Sequence, residues 1–450
     1  MRGTHLTAAR TSARAAPRAG TRPTLRTSVL AALALSVVSA AAAPSANAAE
    51  QLVIHGAGFG HGVGMSQYGA FGFAKAGANH GAILAHYYTG TQLTASDPST
   101  VVRVLLKTSG RIVFTKATGV VGGRRLDPAQ RYVATRALNG VLALSGSSGR
   151  PLGTYPSLLA ISGSTGGIRV YGRSGNAAVD GRYRGNLEIR ASPLGGVSAI
   201  DAVGLEDYVR GVVAGEMPAS WPAEALEAQA IAARTYAIAT TKAGTGFDQY
   251  ADTRSQVYNG ISGETKATDA AVAATAGQLV TFAGKPIVTY YFSTSGGRTE
   301  NIENSFLGAT PEPYLTAVDD PYDSASPRHR WVRRMSLGTA QARLGALVKG
   351  TLLQIKVLQR GASPRVVRAQ VVGTGGTSPV SGPTLRRKLG LYDTWAQFTV
   401  IDGAKRRGDG DPPTLPPEPA TPQPAPASPA VPGAPAAAPS GGTVPVIPPG

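Results

Sequence analysis

Glu216 is the residue in this chain best placed to move a proton. Leu205, Val209, Val212 and Glu216 follow one another at steps of four, three and four, the spacing of one helix face. Gly215 and Pro218 bracket the acid, so the chain is expected to turn there and present one carboxylate between two helices, beside Met217 and Trp221. Apolar surroundings disfavour the anion and raise a carboxyl's pKa. A raised glutamate is what protonating a glycosidic oxygen near neutral pH requires. The competing assignment is a helix-capping glutamate at the start of the next helix, where the dipole favours the charged form.

The helix expected after Pro222 places Gln229 and Tyr236 seven residues apart on one face, with Arg234 directed elsewhere beside Ala230 and Ala237. Long polar side chains among alanines can line a groove and bond sugar hydroxyls; an ordinary solvated face has the same pattern. Asp252 to Tyr258 is polar and runs into the turn Asn259-Gly260. Tyr290-Tyr291-Phe292 leads into Ser293-Thr294-Ser295-Gly296-Gly297, whose glycines allow close backbone approach to a ligand. Ser293, Ser295 and Thr299 could donate to a sugar or phosphate, but no histidine lies near them in sequence and no nucleophile elbow is present, so serine-hydrolase chemistry is not expected.

The loop from Gly56 to Gly69 contains a G-x-G-x-x-G match, yet neither a βαβ unit nor an acid about 20 positions on supports a nucleotide. His55/His61 and His80/His86 are each six apart, which is not the i, i+4 spacing of a helical metal pair. The chain has no cysteine, which excludes disulfides, thiolate zinc sites and a cysteine nucleophile. No metal ion and no cofactor is expected.

These residues must be held by elements of two kinds. Residues 100–200 alternate short apolar runs with Gly, Ser and Asn turns and read as a β-rich segment. Ahead of it, residues 49–99 hold a strand at Leu52–Ile54, the glycine loop and two helical patterns, from Ala70 and over Ile83–Tyr88. After Gly204 the spacing turns helical: first from Leu205, then from Pro222 through Ala237 with Ser220 as cap and Gly244 and Gly246 as stop, then over Lys266–Ala276. Strands are expected at Gln278–Phe282, Ile287–Ser293, Leu352–Val357 and Val366–Val372, with a helix near Leu337–Val348. Segregated helices and strands predict an α+β fold: a helical core packed with antiparallel strands over 201–402, plus the β-rich insertion.

The two ends read differently. Six arginines and no acid stand in residues 1–28, followed by the apolar run Val29–Ala43 and the small-x-small site Ala46-Asn47-Ala48. Residues 1–48 therefore read as a secretory signal, with a mature chain from Ala49. An apolar run of about 15 residues falls short of the roughly 20 that span a bilayer, and no stable membrane span is expected after cleavage. Residues 403–450 form a Pro/Ala-rich tail: from Pro412 to Gly450, 15 of 39 residues are proline, a composition that cannot bury a core. Lys and Arg number 44 against 26 Asp and Glu, a net +18. For an exported chain that charge suits an anionic wall polymer better than nucleic acid.

Several stretches together resemble the SpoIID/LytB family, which comprises stage II sporulation protein D and the amidase enhancers. They are Val212-Val213-Ala214-Gly215-Glu216-Met217-Pro218, Trp221-Pro222, Glu224-Ala225-Leu226, Ala228-Gln229-Ala230 and Ala233-Arg234-Thr235-Tyr236. Asp252 to Tyr258 resembles the family's D-x-[ST]-x-x-Q-V-Y segment, and Ser293 to Glu300 its S-x-S-G-G-x-T-E segment. Pro313-Tyr314-Leu315, Pro321-Tyr322-Asp323, the segment from Gly382 to Phe398 and the glycine loop match as well. In the sporulation protein the G-H-G-V-G-M-S-Q block lies near the C-terminus; here it lies near the N-terminus, which looks like a circular permutation and implies that the domain's two ends lie close together. Some relatives carry cysteines around the D-x-[ST] segment that can hold zinc; here residues such as Ala251 and Ser255 stand there.

The resemblance implies a secreted, cell-wall-associated peptidoglycan lytic transglycosylase, with Glu216 as general acid and base. It also implies peptidoglycan glycan strands as partner, held by Gln229, Arg234, Tyr236, Gln256, Tyr258, Ser293 and Ser295, with His61, Gln67 and Tyr68 completing the groove. The alternative it carries is a non-catalytic glycan-binding enhancer of a separate cell-wall amidase.

Overall fold

The computed structural model describes residues 50–137, 140–176, 178–241 and 246–402, and the backbone of a strand at Lys405–Gly408. Residues 1–48, read above as a signal, the tail from residue 409 onward and Gly244 lie outside the described residues.

Short polar side chains cap the first two helices. In α1 (Gln67–Lys75) the Ser66 hydroxyl accepts the Gly69 N–H, and in α2 (His80–Tyr87) the Asn79 side chain accepts the Ala82 N–H. α3 (Leu205–Glu216) buries Leu205, Val209, Val212 and Val213, as the apolar spacing predicts. The helix does not stop short of the acid: it runs through Gly215 and takes Glu216 as its last residue, Met217 being the cap. α4 (Ala223–Ala239) begins later than the expected Ser220 cap allows. The chain turns at Pro218–Trp221, leaving Ser220 exposed and Pro222 at the N-cap without a side-chain bond. α4 is alanine-rich and buried on most of its circumference, and α5 (Lys266–Ala274) packs beside it. The fold is α+β.

The β-rich segment shares a hydrophobic core with these helices. Val104, Leu106, Phe114, Leu144, Ile161 and Ile189 join Val209, Val212 and Ile231 in one cluster. The strand Val197–Gly204 lies between Val101–Ser109 and Asn186–Ala191, antiparallel to both, and leads directly into α3. Gln249–Tyr250, downstream of α4, adds to the same sheet parallel to Val101–Ser109.

A second core joins both ends of the described fold. Gln51–Ala57 is the inner strand between Arg330–Ser336 and Ala396–Asp402, antiparallel to each, with Gln51 opposite Ile401. Leu52 and Ile54 pack there with Trp331, Leu352, Ile355, Val371 and Phe398, and with Leu337 and Leu385 from two later helices. A single helical turn, α6 (Ile302–Ser305), belongs to the first core through Ile302; the later pair are α7 (Leu337–Leu344) and α8 (Gly382–Leu389). The sequence reading missed the strands Arg330–Ser336 and Ala396–Asp402 as elements, because their hydrogen-bond partner is distant in the chain.

The glycine loop laces the N-terminal helices onto the segment around Ser293. Met65–Ser66 pairs in parallel with Tyr291–Phe292, and Phe59 bridges Thr294. Gly64 has φ +74°, and a Cβ there would stand 2.1 Å from the Tyr290 carbonyl oxygen, so only glycine fits. The strand expected over Ile287–Ser293 shrinks to Tyr291–Phe292, with Lys285–Pro286 in a separate hairpin, because Met65–Ser66 offers only two residues of ladder.

Candidate functional site

Two features of its position disfavour ionisation of Glu216. It is the last residue of α3, at the negative end of the helix dipole, and it is half-buried. Burial raises its pKa above the usual carboxylate range; hydrogen bonds from the Val257 N–H, the Tyr291 hydroxyl and Gln67 offset this only in part. The Val257 N–H donates to Oε1 at 2.8 Å. Gly215 makes that approach possible: a Cβ there would stand 2.7 Å from Asn259 Nδ2 and 3.0 Å from the Val257 carbonyl oxygen.

A chain of side chains orients the Tyr291 hydroxyl. Tyr208 donates its hydroxyl to Gln256 Oε1 at 2.8 Å, and Gln256 Nε2 donates to the Tyr291 oxygen at 2.9 Å. With that lone pair engaged, the hydroxyl proton is free to serve Glu216, whose pKa the nearby Tyr291 hydroxyl lowers. Burial holds both tyrosines in the neutral, donating form. The arrangement can keep a proton on a carboxyl to higher pH than an exposed glutamate would, release it to a bound oxygen, and hold the resulting carboxylate beside polar donors.

The sequence-predicted residues divide into two groups. Gln67, Gln229 and Gln256 gather around Glu216. Gln67 Nε2 donates to the Glu216 carbonyl at 3.2 Å and to Gln229 Oε1 at 3.4 Å, while Gln229 is fully buried and its Nε2 has no partner among the described residues. Tyr236 is close enough to Glu216 for the carboxylate's charge to help raise its pKa, after burial. Tyr68 packs edge-on against Trp221 at 5.0 Å, and Phe71 lies 4.9 Å from the same indole, so the start of α1 covers the Pro218–Trp221 turn.

The others have structural partners. Arg234 is fully buried, gives two bonds to Glu206 at 2.8 and 2.7 Å, and donates to the carbonyls of Gln278 and Val272. Tyr258 is buried with its hydroxyl on Asp201 Oδ2 at 2.6 Å, and Ser295 is buried with its hydroxyl on Asp323 Oδ2 at 3.0 Å. His61 Nδ1 accepts the Val63 N–H at 3.1 Å while its ring bonds the Tyr291 backbone; burial, with Arg386 and Arg365 nearby, pushes its pKa down to about 3. It is a neutral post under Tyr291. Ser293 shares a bond with Thr294 at 3.2 Å, and its carbonyl accepts the Tyr68 N–H. Sequence reasoning missed Tyr208 and Tyr291: the first lies within the apolar face of α3, and the second in an aromatic run that reads as core.

Fold and site together define an α+β protein built around one half-buried acid at a helix end, served by neutral amide and phenol donors. Comparison with known proteins agrees. Residues 194–282 match the family model SpoIID, described as stage II sporulation protein. The chain is 34% identical over 250 residues to stage II sporulation protein D of Bacillus subtilis (strain 168), covering 50% of this chain and 69% of that protein. It is 33% identical over 210 residues to stage II sporulation protein D of Bacillus amyloliquefaciens, covering 43% of this chain and 59% of that protein. A shorter match, 40% over 128 residues, is to the amidase enhancer of Bacillus subtilis (strain 168), covering 28% of this chain and 17% of that protein. The chain belongs to the SpoIID family.

Proposed function

We propose that this protein acts on the bacterial cell wall as a peptidoglycan lytic transglycosylase, exported by its N-terminal segment and associated with the wall. The observation that carries the reading is the Glu216 carboxyl, half-buried at the end of α3 with a raised pKa and donors on both sides. Names of relatives, sporulation protein D and amidase enhancer, support a wall-related role in sporulation.

In the proposed reaction the protonated Glu216 gives its proton to the oxygen joining N-acetylmuramic acid to N-acetylglucosamine. The bond from the muramic anomeric carbon to that oxygen breaks, and positive charge develops on the ring. The sugar's own 6-hydroxyl then attacks the anomeric carbon, closing a 1,6-anhydro ring, and its proton returns to Glu216. Tyr291 and the Val257 N–H stabilise the carboxylate between the two transfers. One acid suffices because the second nucleophile belongs to the substrate, in contrast to hydrolases with two flanking carboxylates. Trp221, Tyr68 and Phe71, partly exposed beside the acid's loop, offer aromatic surface for sugar rings.

A second reading rests on the match to the amidase enhancer: the same site holds glycan without cleaving it and stimulates a separate amidase. Incubation with glycan strands stripped of stem peptides decides between them. Anhydromuramic ends seen by mass spectrometry, and lost in Glu216→Gln, support the enzyme. Product that survives Glu216→Gln refutes the assigned role. No product with any strand, together with faster cleavage by an added amidase, supports the second reading.

A further inference from the structure

A cluster away from Glu216 brings one imidazole and two carboxylates to a point. His80 is the first residue of α2; Glu224 and Glu227 stand one turn apart on α4. His80 Nδ1 lies 2.8 Å from Glu224 Oε2 and 2.8 Å from Glu227 Oε2, and the three atoms all fall within 4.8 Å of one another. The His80 backbone N–H also donates to Glu224 Oε2, at 2.6 Å. That bond caps α2 and accounts for Glu224. It does not account for Glu227, whose side chain is 14% exposed and faces the same ring nitrogen.

The electrostatics make the cluster stand out. The chain has 44 basic side chains for 26 acidic ones, yet among the described residues neither carboxylate pairs with a lysine or arginine. One ring nitrogen carries at most one proton, so it can satisfy one of the two carboxylates with a full hydrogen bond. A divalent cation takes a lone pair from all three and cancels the two negative charges. We propose that His80, Glu224 and Glu227 form a binding site for a divalent transition-metal ion, with Zn²⁺ as the type case, that fastens α2 to α4.

One nitrogen and two oxygens are a donor set that zinc accepts, with the remaining position left to water. Calcium and magnesium favour all-oxygen shells, so the imidazole selects against them. Bonds of about 2.0–2.2 Å in a tetrahedral site put donor atoms about 3.3 Å apart. The observed spacings, from 2.8 Å to within 4.8 Å, reach that by small side-chain rotations. The six-residue spacing of His80 and His86 argues against a helical metal pair, and His86 indeed bonds the Asp319 carbonyl; the partners of His80 come from a helix some 140 residues later. The site is independent of Glu216. Its consequence is mechanical: α1 and α2, which carry Gln67 and Tyr68 to the Glu216 loop, become bolted to α4.

The test uses the full chain without an affinity tag, stripped of metal with chelator. Titration calorimetry with Zn²⁺ is expected to give one ion per chain at micromolar or tighter Kd, with a melting temperature that rises with Zn²⁺. Glu227→Gln and His80→Gln are each expected to weaken binding at least tenfold, while His55→Gln, at an exposed histidine on the other core, leaves it unchanged. X-ray absorption of the Zn²⁺-loaded protein is expected to show a single imidazole with oxygen donors, a reading that does not depend on any variant folding. Absence of binding at 100 μM Zn²⁺, unweakened binding in both cluster variants, a shell with two or more imidazoles, or tighter binding of Mg²⁺ than of Zn²⁺ would each overturn the proposal.

Discussion

Replacing Tyr291 by phenylalanine removes one oxygen from the heart of the site and leaves the ring in place. That oxygen accepts from Gln256 at 2.9 Å, and its hydroxyl lies near enough to Glu216 to lower the carboxyl's pKa. A hydrogen bond to a charged group contributes about 1.5–3 kcal/mol when the group is buried. Glu216 is only half-buried and keeps the Val257 N–H at 2.8 Å, so the low end of that range applies. The bond stabilises the carboxylate, so its loss moves the Glu216 titration midpoint to higher pH by about one unit. Carboxyl-carbon NMR of the glutamate-labelled protein reads that midpoint without reference to catalysis. Stability changes little, because Gln256 Nε2 still reaches the Ala233 carbonyl at 3.3 Å and Tyr208 keeps its own bond. In an active enzyme the alkaline limb of the pH–rate profile moves up with the midpoint, while the maximal rate falls because the returning carboxylate has lost a donor. An unchanged or lowered midpoint in Tyr291→Phe would refute the orientation argument built on Gln256 and Tyr208.

Arg234→Ala is expected to act on stability. It strips Glu206 of two bonds and leaves two carbonyls bare, at about 3 kcal/mol, the lower end for a broken buried pair because Glu206 is 34% exposed. Urea denaturation measures this, and glycan affinity per folded molecule stays the same. Asp320 is buried, and burial with Asp323 beside it pushes its pKa up to about 7. Its folded pKa lies above the unfolded value of about 3.9, so its contribution to stability is complete below that pH and is lost as pH rises through 7. Asp320→Asn is therefore expected to raise the melting temperature relative to wild type at pH 8 and not at pH 4; an equal shift at both would show that ionisation is not the cause. Trp221→Ala exposes Tyr68 and Phe71 to water and is expected to weaken glycan binding about tenfold, a stacking contribution near 1.4 kcal/mol, with Glu216 chemistry retained; binding is read by affinity electrophoresis.

Much of this protein is local, and local properties are visible in the chain. The step of four, three and four from Leu205 to Glu216 is a helix face, and the structure keeps it to its last residue. The alternation over residues 100–200 is strand, whereas the cap expected at Ser220 is not used. The importance of Glu216 was legible because an acid at the end of an apolar stripe violates the pattern around it. What the chain could not disclose is which polar groups meet. Arg234 and Gln229 sit five residues apart on α4, and the family resemblance assigns both to holding glycan. Folding sends one to Glu206 and Gln278, and the other to Gln67, 162 positions away. Tyr291 looks like core until Gln256 and Glu216 arrive from elsewhere in the chain, and His80 looks isolated until α4 is laid beside α2. Periodicity records which face of an element is apolar, whereas hydrogen bonds and charge pairs depend on distances between elements, and those are set by the packing of the whole core.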